Sequence, residues 1–562
     1  MKLTYKQRLF ILQFIFLLIF ILIWVQLFNL QILKSQGLIT EAKKQFYQPQ
    51  IKLRGDIRDR NGELLALDII TYDLYNNADK IEKIPKEKIL NLAKILNITS
   101  EELTKKLNQR KNIRIFSGIS ESQINQIKNG YISLVYPYPK SIRAYPHKKM
   151  ASHVIGYVNN DGQGQHGVES YYNSLITKIA EYTNKTQLYP KGTDVSLTID
   201  SALQEYAEEE LRQAAEKSRA SRGAIIVLSP KTGEIYAWSV YPGFDPNTFY
   251  KEKSIKNWSI TDIYEPGSTF KIITVSSALE NMTIEKTSTF FDPGFLKVGK
   301  RIVKNHAQTK PQYINLLELF KQSSNVAAAQ VALSMKPEEF YNSIKHFMIG
   351  QKTDVDLHGE SEGLLLNYKK WRTIDSATTA FGQGAVSVTP LQLACAISSI
   401  ANHGVWVQPH ILRGIWDPNY KLISETPKNI TAEQVISPEV ADYVSGLLKR
   451  SVEQNVKAMS YVAGNVPGYD VAGKTGTAQK IRPDGKGYYA GHTVASFIGY
   501  LPADDPEILI LAVIDDPKTG GGWGNTVCGP VFNNVAKVAA KRILRAHNKK
   551  EDLAKTINEK PN

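Results

Sequence analysis

The sequence is poor in the residues that build disulfide frameworks and metal sites. Only two cysteines, Cys395 and Cys528, occur in 562 residues, too few for a disulfide framework or a cysteine-ligated zinc site. Cys395 lies in an apolar run that is typical of a buried helix. The ten histidines form no His-Glu-x-x-His or comparable ligand cluster. We therefore expect neither a metal nor another cofactor.

Motifs typical of nucleic-acid binding are also missing. No zinc-finger, helix-turn-helix or RNA-binding signature occurs, although the net charge is +15. The basic residues are scattered, which favours a lysine-rich solvated surface over a nucleic-acid partner. Repeats and low-complexity segments are absent too, and a composition of 22% charged and 42% hydrophobic residues is ordinary for a globular protein. The length predicts two or three domains.

A run long enough to span a membrane lies near the N-terminus. Leu9–Phe28 is apolar except for Gln13 and Gln26, and a spanning helix needs about 20 such residues. A cleaved signal peptide is the alternative, but its apolar core would be shorter and followed by a small-residue cleavage site. We predict a cytoplasmic tail over 1–8, a transmembrane helix over 9–30 and an extracytoplasmic remainder, because basic residues precede the run: Lys2, Lys6 and Arg8.

The remainder divides by pattern into two domains. Residues 31–190 should form a polar stalk and then a mixed domain, with helices over about 79–129 and short strands over 141–175. Residues 191–547 have a helical pattern over Ser201–Lys217 and β-rich runs near both ends. Strands at both ends with helices between predict an α+β fold, an antiparallel sheet covered by helices. A basic helical tail is predicted from about Val535 to His547, and a polar tail over 548–562.

Three short motifs follow one another in the second domain. They are Ser268-Thr-Phe-Lys271, Ser323-Ser-Asn325 and Lys474-Thr-Gly-Thr477. Ser268 is the only serine with a lysine three residues later, and Ser323 is the only one with an asparagine two residues later. Together, the motifs describe a serine acyl-transfer site.

Ser268 needs a base, because a serine hydroxyl is a poor nucleophile until a neighbouring group takes its proton. Lys271 lies one helical turn later, on the same face and within hydrogen-bonding reach. A buried lysine beside another cation can be neutral and act as that base. Glu265-Pro-Gly267 sets Ser268 in the first helical turn, where backbone amides favour developing negative charge. Alone, this spacing is more often an exposed helix turn.

Ser323 and Asn325 are candidates for a proton relay and a substrate ligand. A hydroxyl at 323 can pass a proton to the leaving group, and the amide of Asn325 can hold a substrate carbonyl. A helix cap or a loop pair is the alternative interpretation of this motif taken alone.

The tripeptide Lys-Thr-Gly occurs three times, but only the copy at Lys474 lies on a plausible strand. The copies at 231 and 518 follow prolines and are typical of loops. Alternation along the strand separates Lys474 and Gly476 from the two threonines, Thr475 and Thr477. Glycine at 476 would let a substrate backbone approach and add alongside the strand.

Two further roles follow from the three motifs. The backbone amides of Ser268 and Thr477 would form an oxyanion hole, a device worth roughly 3 kcal/mol per donor. Lys474 would supply positive charge to the proton relay and to a substrate carboxylate.

With these residues in view, the chain resembles the penicillin-binding proteins, the serine transpeptidases of bacterial peptidoglycan. The likeness covers nearly the whole extracytoplasmic part. The matching segments are Arg54-Gly-Asp-Ile-Arg-Asp-Arg-Asn-Gly62, Arg143-Ala-Tyr-Pro146, Gly167-Val-Glu169, Leu197-Thr-Ile-Asp200, Glu265-Pro-Gly-Ser-Thr-Phe-Lys271, Phe381-Gly-Gln-Gly384, Val388-Thr-Pro-Leu-Gln392 and Ala472-Gly-Lys-Thr-Gly-Thr-Ala-Gln479.

The resemblance implies that Ser268 attacks the carbonyl between the two terminal D-alanines of a stem peptide and releases D-alanine. An amine of a neighbouring stem peptide then resolves the acyl-enzyme into a cross-link. β-Lactams trap Ser268 because they mimic the D-Ala-D-Ala end. The implied catalytic residues are Ser268, Lys271 as base, and Ser323 with Lys474 as proton relay. The implied substrate-binding residues are Asn325, Thr475, Gly476 and Thr477.

Within the family the chain is similar to the class B, monofunctional type, with one membrane helix, a non-catalytic pedestal (31–190) and a transpeptidase domain (191–547). No segment resembles a glycosyltransferase domain. The expected partners are therefore a SEDS-family glycan polymerase and divisome membrane proteins. Three segments are similar to the septal, cell-division branch: Tyr500-Leu-Pro-Ala-Asp-Asp505, Ile514-Asp-Asp-Pro517 and Cys528-Gly-Pro-Val-Phe532. This similarity implies a place in the cytoplasmic membrane at the septum.

Four alternatives remain open at this point. An elongation-type enzyme would share the same chemistry and act at the sidewall. A β-lactamase or a β-lactam sensor could share Ser268-Thr-Phe-Lys271. Class D β-lactamases usually have valine where Asn325 stands, and a sensor would carry several membrane helices. An idle scaffold would not need the intact motif residues.

Overall fold

The structure is a computed structural model. It describes residues 5–29, 51–77, 84–109, 113–132, 134–179, 189–252, 254–306, 310–417, 421–425, 430–458, 463–482 and 487–544. The predicted stalk over 31–50 and the predicted polar tail over 548–562 lie outside the described residues.

The N-terminal helix α1 spans Tyr5–Phe28. Within it, Phe10–Phe28 has a mean hydropathy of 2.7, and among the described residues this is the helix long and apolar enough to cross a membrane. Its large apolar side chains are exposed from Phe10 onward, as a surface facing lipid would require. The helix belongs to a unit of its own, separate from the folded body that begins at Leu53.

The first part of the folded body is built on a long antiparallel strand pair. Strand β2 pairs along its length with β4, and Ile69 lies opposite Ile142. Three amphipathic helices bury one face each against this ribbon and form a small core of their own. The elements in chain order are β1 (Ile57–Arg58), β2 (Leu64–Asn76), α2 (Lys86–Leu96), α3 (Ser100–Leu107), β3 (Arg114–Ile119), α4 (Glu121–Lys128), β4 (Val135–Ala144), α5 (Ser152–Ile155), α6 (Gly167–Tyr171) and α7 (Asn173–Thr177).

A shared sheet joins this part to the rest of the folded body. Strand β5 (Asp194–Leu197) pairs in parallel with β1 and antiparallel with β15 (Leu412–Trp416). The described sheet therefore runs β16-β15-β5-β1-β2-β3, with β4 also on β2. Hydrogen bonding continues across it without a break from the first part to the second.

A five-stranded antiparallel sheet forms the centre of the second part, in the order β18-β19-β20-β6-β7. Along β20, Leu509, Leu511 and Val513 join one core. The residues that alternate with them join the other core: Ile508, Ile510, Ala512 and Ile514. This period of two shows that both faces of the sheet are covered. The strands are β6 (Arg222–Leu228), β7 (Ile235–Tyr241), β18 (Ala472–Ile481), β19 (Tyr488–Leu501) and β20 (Ile508–Asp515).

Helices cover both faces, so the predicted α+β architecture is confirmed. One layer contains α8 and α17, and the other contains α10, α12, α15 and α16. The helices of this part are α8 (Ser201–Ser218), α9 (Trp258–Thr261), α10 (Lys271–Glu280), α11 (Leu316–Gln322), α12 (Asn325–Leu333), α13 (Pro337–His346), α14 (Thr373–Thr379), α15 (Pro390–Ala401), α16 (Pro438–Ala458) and α17 (Gly524–Ala539). Shorter 3₁₀ turns span Pro246–Lys251, Gly267–Phe270, Tyr368–Lys370 and Gly520–Gly522, and a π turn spans Ala540–Leu544.

Small two-stranded ribbons complete the second part, and two of them lie beside the site described below. In these two, β8 pairs with β11 and β9 pairs with β10. The remaining strands are β8 (Thr289–Asp292), β9 (Phe295–Val298), β10 (Arg301–Lys304), β11 (Gln312–Asn315), β12 (Leu364–Leu365), β13 (Val386–Ser387), β14 (Val405–Val407), β16 (Leu422–Glu425) and β17 (Ala432–Gln434).

Candidate active site

Ser268 lies in a 3₁₀ turn, Gly267–Phe270, that continues directly into α10. Gly267 has a φ of 62°, a conformation that glycine adopts without strain. A β-carbon at this position would lie 2.9 Å from the carbonyl oxygen of Thr477. Glycine at 267 therefore allows the Gly267–Phe270 turn to press against strand β18, so that Ser268 and Thr477 lie on facing elements.

Lys271 is the first residue of α10 and is fully buried. Its Nζ lies 3.1 Å from Ser268 Oγ, 2.8 Å from Asn325 Oδ1, and 2.6 and 3.2 Å from the carbonyl and hydroxyl oxygens of Ser323. Burial lowers the pKa of Lys271 well below its ordinary value, and the charge of Lys474 lowers it further, whereas Asp292 opposes this effect. Lys271 can thus lose its proton at a pH where an exposed lysine could not.

The Ser323-Ser-Asn325 motif is the connection between α11 and α12. Ser323 has a φ of 55°, in the left-handed region, which few residues other than glycine adopt. Ser324 caps α12 by accepting a hydrogen bond from the amide of Ala327 at 3.0 Å. The side-chain amide of Asn325 donates to the carbonyl of Lys304 at 3.0 Å. The motif therefore includes a helix cap, one of the alternatives, and it also places two polar side chains beside Lys271.

Lys474 is the third residue of β18, and 4% of its surface is exposed. Its Nζ lies 3.0 Å from Ser323 Oγ and 3.2 Å from the carbonyl oxygen of Thr475. Burial lowers the pKa of Lys474 to about 8. Ser323 Oγ consequently lies between two buried lysines, within hydrogen-bonding distance of both.

The remaining residues of the third motif differ from one another in surroundings. Thr475 and Thr477 are half-buried and line the cleft. Gly476 is buried, and a β-carbon there would lie 2.3 Å from Ser496 Oγ and 3.0 Å from Thr269. These contacts show that the missing side chain lets the Gly267–Phe270 turn pack on β18. The approach of a substrate backbone beside Gly476 stays a prediction.

The three motifs meet at one cleft of about 1140 Å³. Ser268, Ser323 and Asn325 face the two threonines across it, and Lys271 and Lys474 lie beneath. Strand β18 is the edge of its sheet, and it forms one wall of the cleft. An extended peptide laid in the cleft would therefore run beside a sheet edge.

Other residues in the wall or directly behind it were missed as site residues at the level of sequence. Glu265 is buried, which raises its pKa to about 7, and it accepts hydrogen bonds from the amide of Gly384 at 2.7 Å and from Tyr488 at 3.1 Å. These contacts attach the Phe381-Gly-Gln-Gly384 segment to the chain just before the Gly267–Phe270 turn. Trp523 also lines the cleft, with its ring centre 4.1 Å from that of His306. The glycine-rich run Gly520-Gly-Gly-Trp-Gly524 in the sequence was the available signal.

Comparison with known proteins agrees with this geometry. Residues 223–537 match the family described as the penicillin-binding protein transpeptidase domain, and residues 50–187 match the penicillin-binding protein dimerisation domain. Stage V sporulation protein D of Bacillus subtilis is 32% identical over 95% of this chain and 85% of its own length. Peptidoglycan D,D-transpeptidase FtsI of Buchnera aphidicola (Schizaphis graminum) is 31% identical over 96% of this chain and 95% of its own length.

Among solved structures, a penicillin-binding protein 3 from Mycobacterium tuberculosis in complex with aztreonam superposes with a TM-score of 0.70. It is 26% identical, and the match covers 88% of this chain and 96% of the other. The likeness therefore extends over both parts of the folded body.

Proposed function

Because the chain belongs to the penicillin-binding proteins, a family of serine peptidoglycan D,D-transpeptidases, we propose that Ser268 is the residue that forms its acyl-enzyme. The observation that carries this assignment is the contact of Ser268 Oγ with the fully buried Nζ of Lys271 at 3.1 Å. Neutral Lys271 takes the hydroxyl proton as Ser268 attacks the D-Ala-D-Ala carbonyl carbon. The amides of Ser268 and Thr477 stabilise the oxyanion that forms.

Breakdown of the tetrahedral intermediate needs a proton on the departing D-alanine amine. Ser323 Oγ lies 3.2 Å from Lys271 and 3.0 Å from Lys474. The proton taken by Lys271 passes through Ser323 to the leaving nitrogen, and charged Lys474 polarises the Ser323 hydroxyl during that transfer. The carbonyl–nitrogen bond breaks, and the acyl group remains on Ser268.

Substrate placement falls to the residues that line the cleft. Asn325 holds a backbone carbonyl of the stem peptide through its side-chain amide. Thr475 and Thr477 bind the terminal carboxylate, with Lys474 beneath them supplying positive charge. Gly476 packs the strand against the Gly267–Phe270 turn, and the substrate backbone lies beside it. An amine of a second stem peptide then attacks the acyl carbon, releases Ser268 and forms the cross-link.

Labelling with a fluorescent penicillin, followed by peptide mapping, tests the nucleophile. Ser268→Ala should lose all covalent label, whereas the parent should carry the adduct on the peptide that contains Ser268. Ser277→Ala is the matched control, because Ser277 is a buried serine of the adjoining helix whose hydroxyl has no hydrogen-bond partner among the described residues. Full labelling of Ser268→Ala would show that another residue is acylated.

We infer that the enzyme acts in septal wall synthesis during cell division. The segments 500–505, 514–517 and 528–532 support this role, as does the similarity to transpeptidases named FtsI. A role in sporulation is the second candidate, because stage V sporulation protein D is a similarly close relative. Growth of the sidewall, as in elongation-type enzymes, is a third. A fluorescent fusion distinguishes them: a midcell band is expected, and signal confined to the forespore or to the sidewall would refute the septal role.

We further propose that α1 anchors the enzyme once in the cytoplasmic membrane, with its N-terminus in the cytoplasm. The apolar helix and the basic residues before it support this orientation. Alkaline phosphatase fused to the C-terminus should then be active, and an inactive fusion that is made in normal amounts would reverse the orientation.

The expected membrane partners are a SEDS-family glycan polymerase and other divisome proteins. No segment of this chain resembles a glycosyltransferase, so the glycan strands must come from another enzyme. Crosslinking in intact cells should recover a SEDS polymerase with the parent, and recovery of none under conditions that retain the enzyme in the membrane would contradict the partnership.

A further inference from the structure

A fully buried carboxylate, Asp292, lies behind the Ser323-Ser-Asn325 motif. It is the last residue of β8 and has no exposed surface. It accepts hydrogen bonds from the amide of Gly294 at 2.8 Å, from Asn305 Nδ2 at 2.8 and 2.9 Å, and from Ser324 Oγ at 2.5 Å. A buried carboxylate is retained at a cost in desolvation that such bonds must offset.

Asn305, the residue directly after β10, connects this carboxylate to the motif. While its Nδ2 donates to Asp292, its Oδ1 accepts from the backbone amides of Asn325 at 2.9 Å and Val326 at 3.1 Å. The first amides of a helix have no partner within the helix, and here a side chain from another element binds two of them. The start of α12 is thereby fixed to the end of β10.

These bonds leave the motif little conformational freedom. Ser324 is held from both sides, since its hydroxyl donates to Asp292 and accepts from Ala327. The side chain of Asn325 is tied to the carbonyl of Lys304. Ser323 is thus kept in its left-handed conformation, in which its hydroxyl reaches both lysines.

We propose that Asp292 and Asn305 are positioning residues that hold Ser323 between Lys271 and Lys474. Neither residue is expected to touch the reacting atoms, so both act through the motif. The inference rests on the proposed function, in which Ser323 relays a proton. A misplacement of about 1 Å in such a relay can lower a rate roughly 100-fold.

Asp292 also acts through its charge, because it is the group that opposes the lowering of the Lys271 pKa. Burial and the charge of Lys474 lower that pKa, and Asp292 raises it. Removing the negative charge should therefore lower the pKa of Lys271 further. Neutral Lys271 would then be present at lower pH, so the acid limb of the acylation profile should move to lower pH.

Two variants separate position from charge. Asp292→Asn removes the charge and one acceptor but keeps the size, and Asn305→Ala removes the bridge to α12 while leaving the charge of Asp292. Asp356→Asn is the matched control. Asp356 is a buried carboxylate that accepts from two backbone amides, those of Ile411 and Leu412, and from the hydroxyl of Tyr172.

The measurement is single-turnover acylation of the full chain by a fluorescent penicillin, as a function of drug concentration and pH. The amplitude reports the folded fraction, so the rate constant remains defined even for a variant that folds poorly. Both variants should lose about 10- to 100-fold in the acylation rate constant, with noncovalent affinity changed less than about threefold. Asp292→Asn alone should shift the acid limb to lower pH.

Several results would overturn the inference. Acylation of Asp292→Asn and Asn305→Ala at the parental rate constant would show that Ser323 does not need the bridge. A loss no larger than that of Asp356→Asn would reduce both residues to a general structural role. Failure of the proposed function is a separate outcome, since it would appear as labelling of Ser268→Ala.

Discussion

Lys271 and Lys474 are both buried within hydrogen-bonding distance of the Ser323 hydroxyl, and the charge of Lys474 lowers the pKa of Lys271. In the proposed mechanism acylation requires neutral Lys271, so the rate should rise as pH rises through the lowered pKa of that residue. It should fall again above about pH 8, where Lys474 loses its proton, because the relay uses the charged form.

Replacing Lys474 with methionine tests this division of roles. Lys474→Met keeps much of the side-chain length but removes the positive charge beside Lys271. The pKa of Lys271 should therefore rise, and the acid limb of the acylation profile should move to higher pH. The descending limb near pH 8 should disappear, and the maximal acylation rate should fall about 100- to 10,000-fold. A stopped-flow acylation profile checks both limbs, and an unmoved acid limb would show that the two lysines are not coupled.

Gly476 gives a second prediction at the level of single residues. Gly476→Ala should destabilise the protein by roughly 1–3 kcal/mol, because the new methyl group meets Ser496 Oγ and Thr269. Removing the neighbouring side chain with Ser496→Gly should recover part of that loss. Thermal melting of the two single variants and the double variant measures the coupling.

The control for this cycle is Gly446→Ala, because a β-carbon at 446 meets no atom within 4 Å. Gly446→Ala lies within α16 and should leave the melting temperature unchanged or raise it. If Gly476→Ala lowers the melting temperature by the same amount with and without Ser496→Gly, the packing role is contradicted.

The site residues illustrate how far sequence alone can go. The spacing of Ser268 and Lys271 predicted that their side chains lie within hydrogen-bonding reach, and Lys271 Nζ is 3.1 Å from Ser268 Oγ. It could not identify Asp292, which lies 32 residues before Ser324 and precedes Pro-Gly as many turn residues do. The packing of another element against Gly476 could not be predicted either, because alternation along a strand does not say which element packs on each face.

Among the elements of the first part, the segments Arg54–Gly62, Arg143–Pro146 and Gly167–Glu169 meet around one carboxylate. Glu169 has no exposed surface. It binds Arg54 at 2.6 Å and Arg143 at 2.6 Å. These segments resembled the family in sequence, and their common purpose is to join β1, β4 and α6.

Glu169→Gln should therefore destabilise the protein without changing the chemistry. Breaking a buried ion pair leaves uncompensated charge, and a loss of roughly 3 kcal/mol or more is expected. The melting temperature should fall, while the acylation rate constant of the folded fraction stays at the parental value. Glu101→Gln, on the exposed surface of α3, is the control and should melt as the parent does.

Elements with a strong period were predictable, and those fixed by distant contacts were not. The helix over Ser201–Lys217 is confirmed, and the β-rich run near the start of the second domain is confirmed as β6 and β7. The prediction of short strands over 141–175 is wrong after the end of β4, where three short helices follow instead. The helix predicted from about Val535 to His547 is confirmed as far as the described residues reach, to Leu544, and it is part of the core, since Val535, Ala536 and Ala539 of α17 are buried against the sheet.

At the scale of the whole molecule, strand β5 makes the catalytic part dependent on the first part. It pairs with β1 on one side and β15 on the other. Asp59 adds to this connection by accepting from the amide and the hydroxyl of Ser201 at 3.1 and 2.9 Å. The catalytic part should consequently lose stability when residues before it are removed, even though none of those that the structure describes lines the cleft.

Two shortened chains test this dependence. A chain that begins at Ile51 lacks α1 and should be soluble, fold cooperatively and be acylated by penicillin. A chain that begins at Tyr189 exposes an edge of β5 and should aggregate or melt at least roughly 5 °C lower. Equal melting temperatures and equal acylation would show that the two parts fold independently.

Ser323 combines an unfavourable backbone conformation with a side chain on which the proposed mechanism depends. Its left-handed backbone would suit glycine better, by about 1 kcal/mol, but glycine has no hydroxyl to place between the two lysines, and the loss of those contacts opposes the gain. In the proposed mechanism, Ser323→Gly should therefore lose nearly all acylation while its melting temperature stays close to that of the parent. By the same mechanism the substitution is no route to β-lactam resistance, because a chain that escapes the drug at this position also gives up wall synthesis.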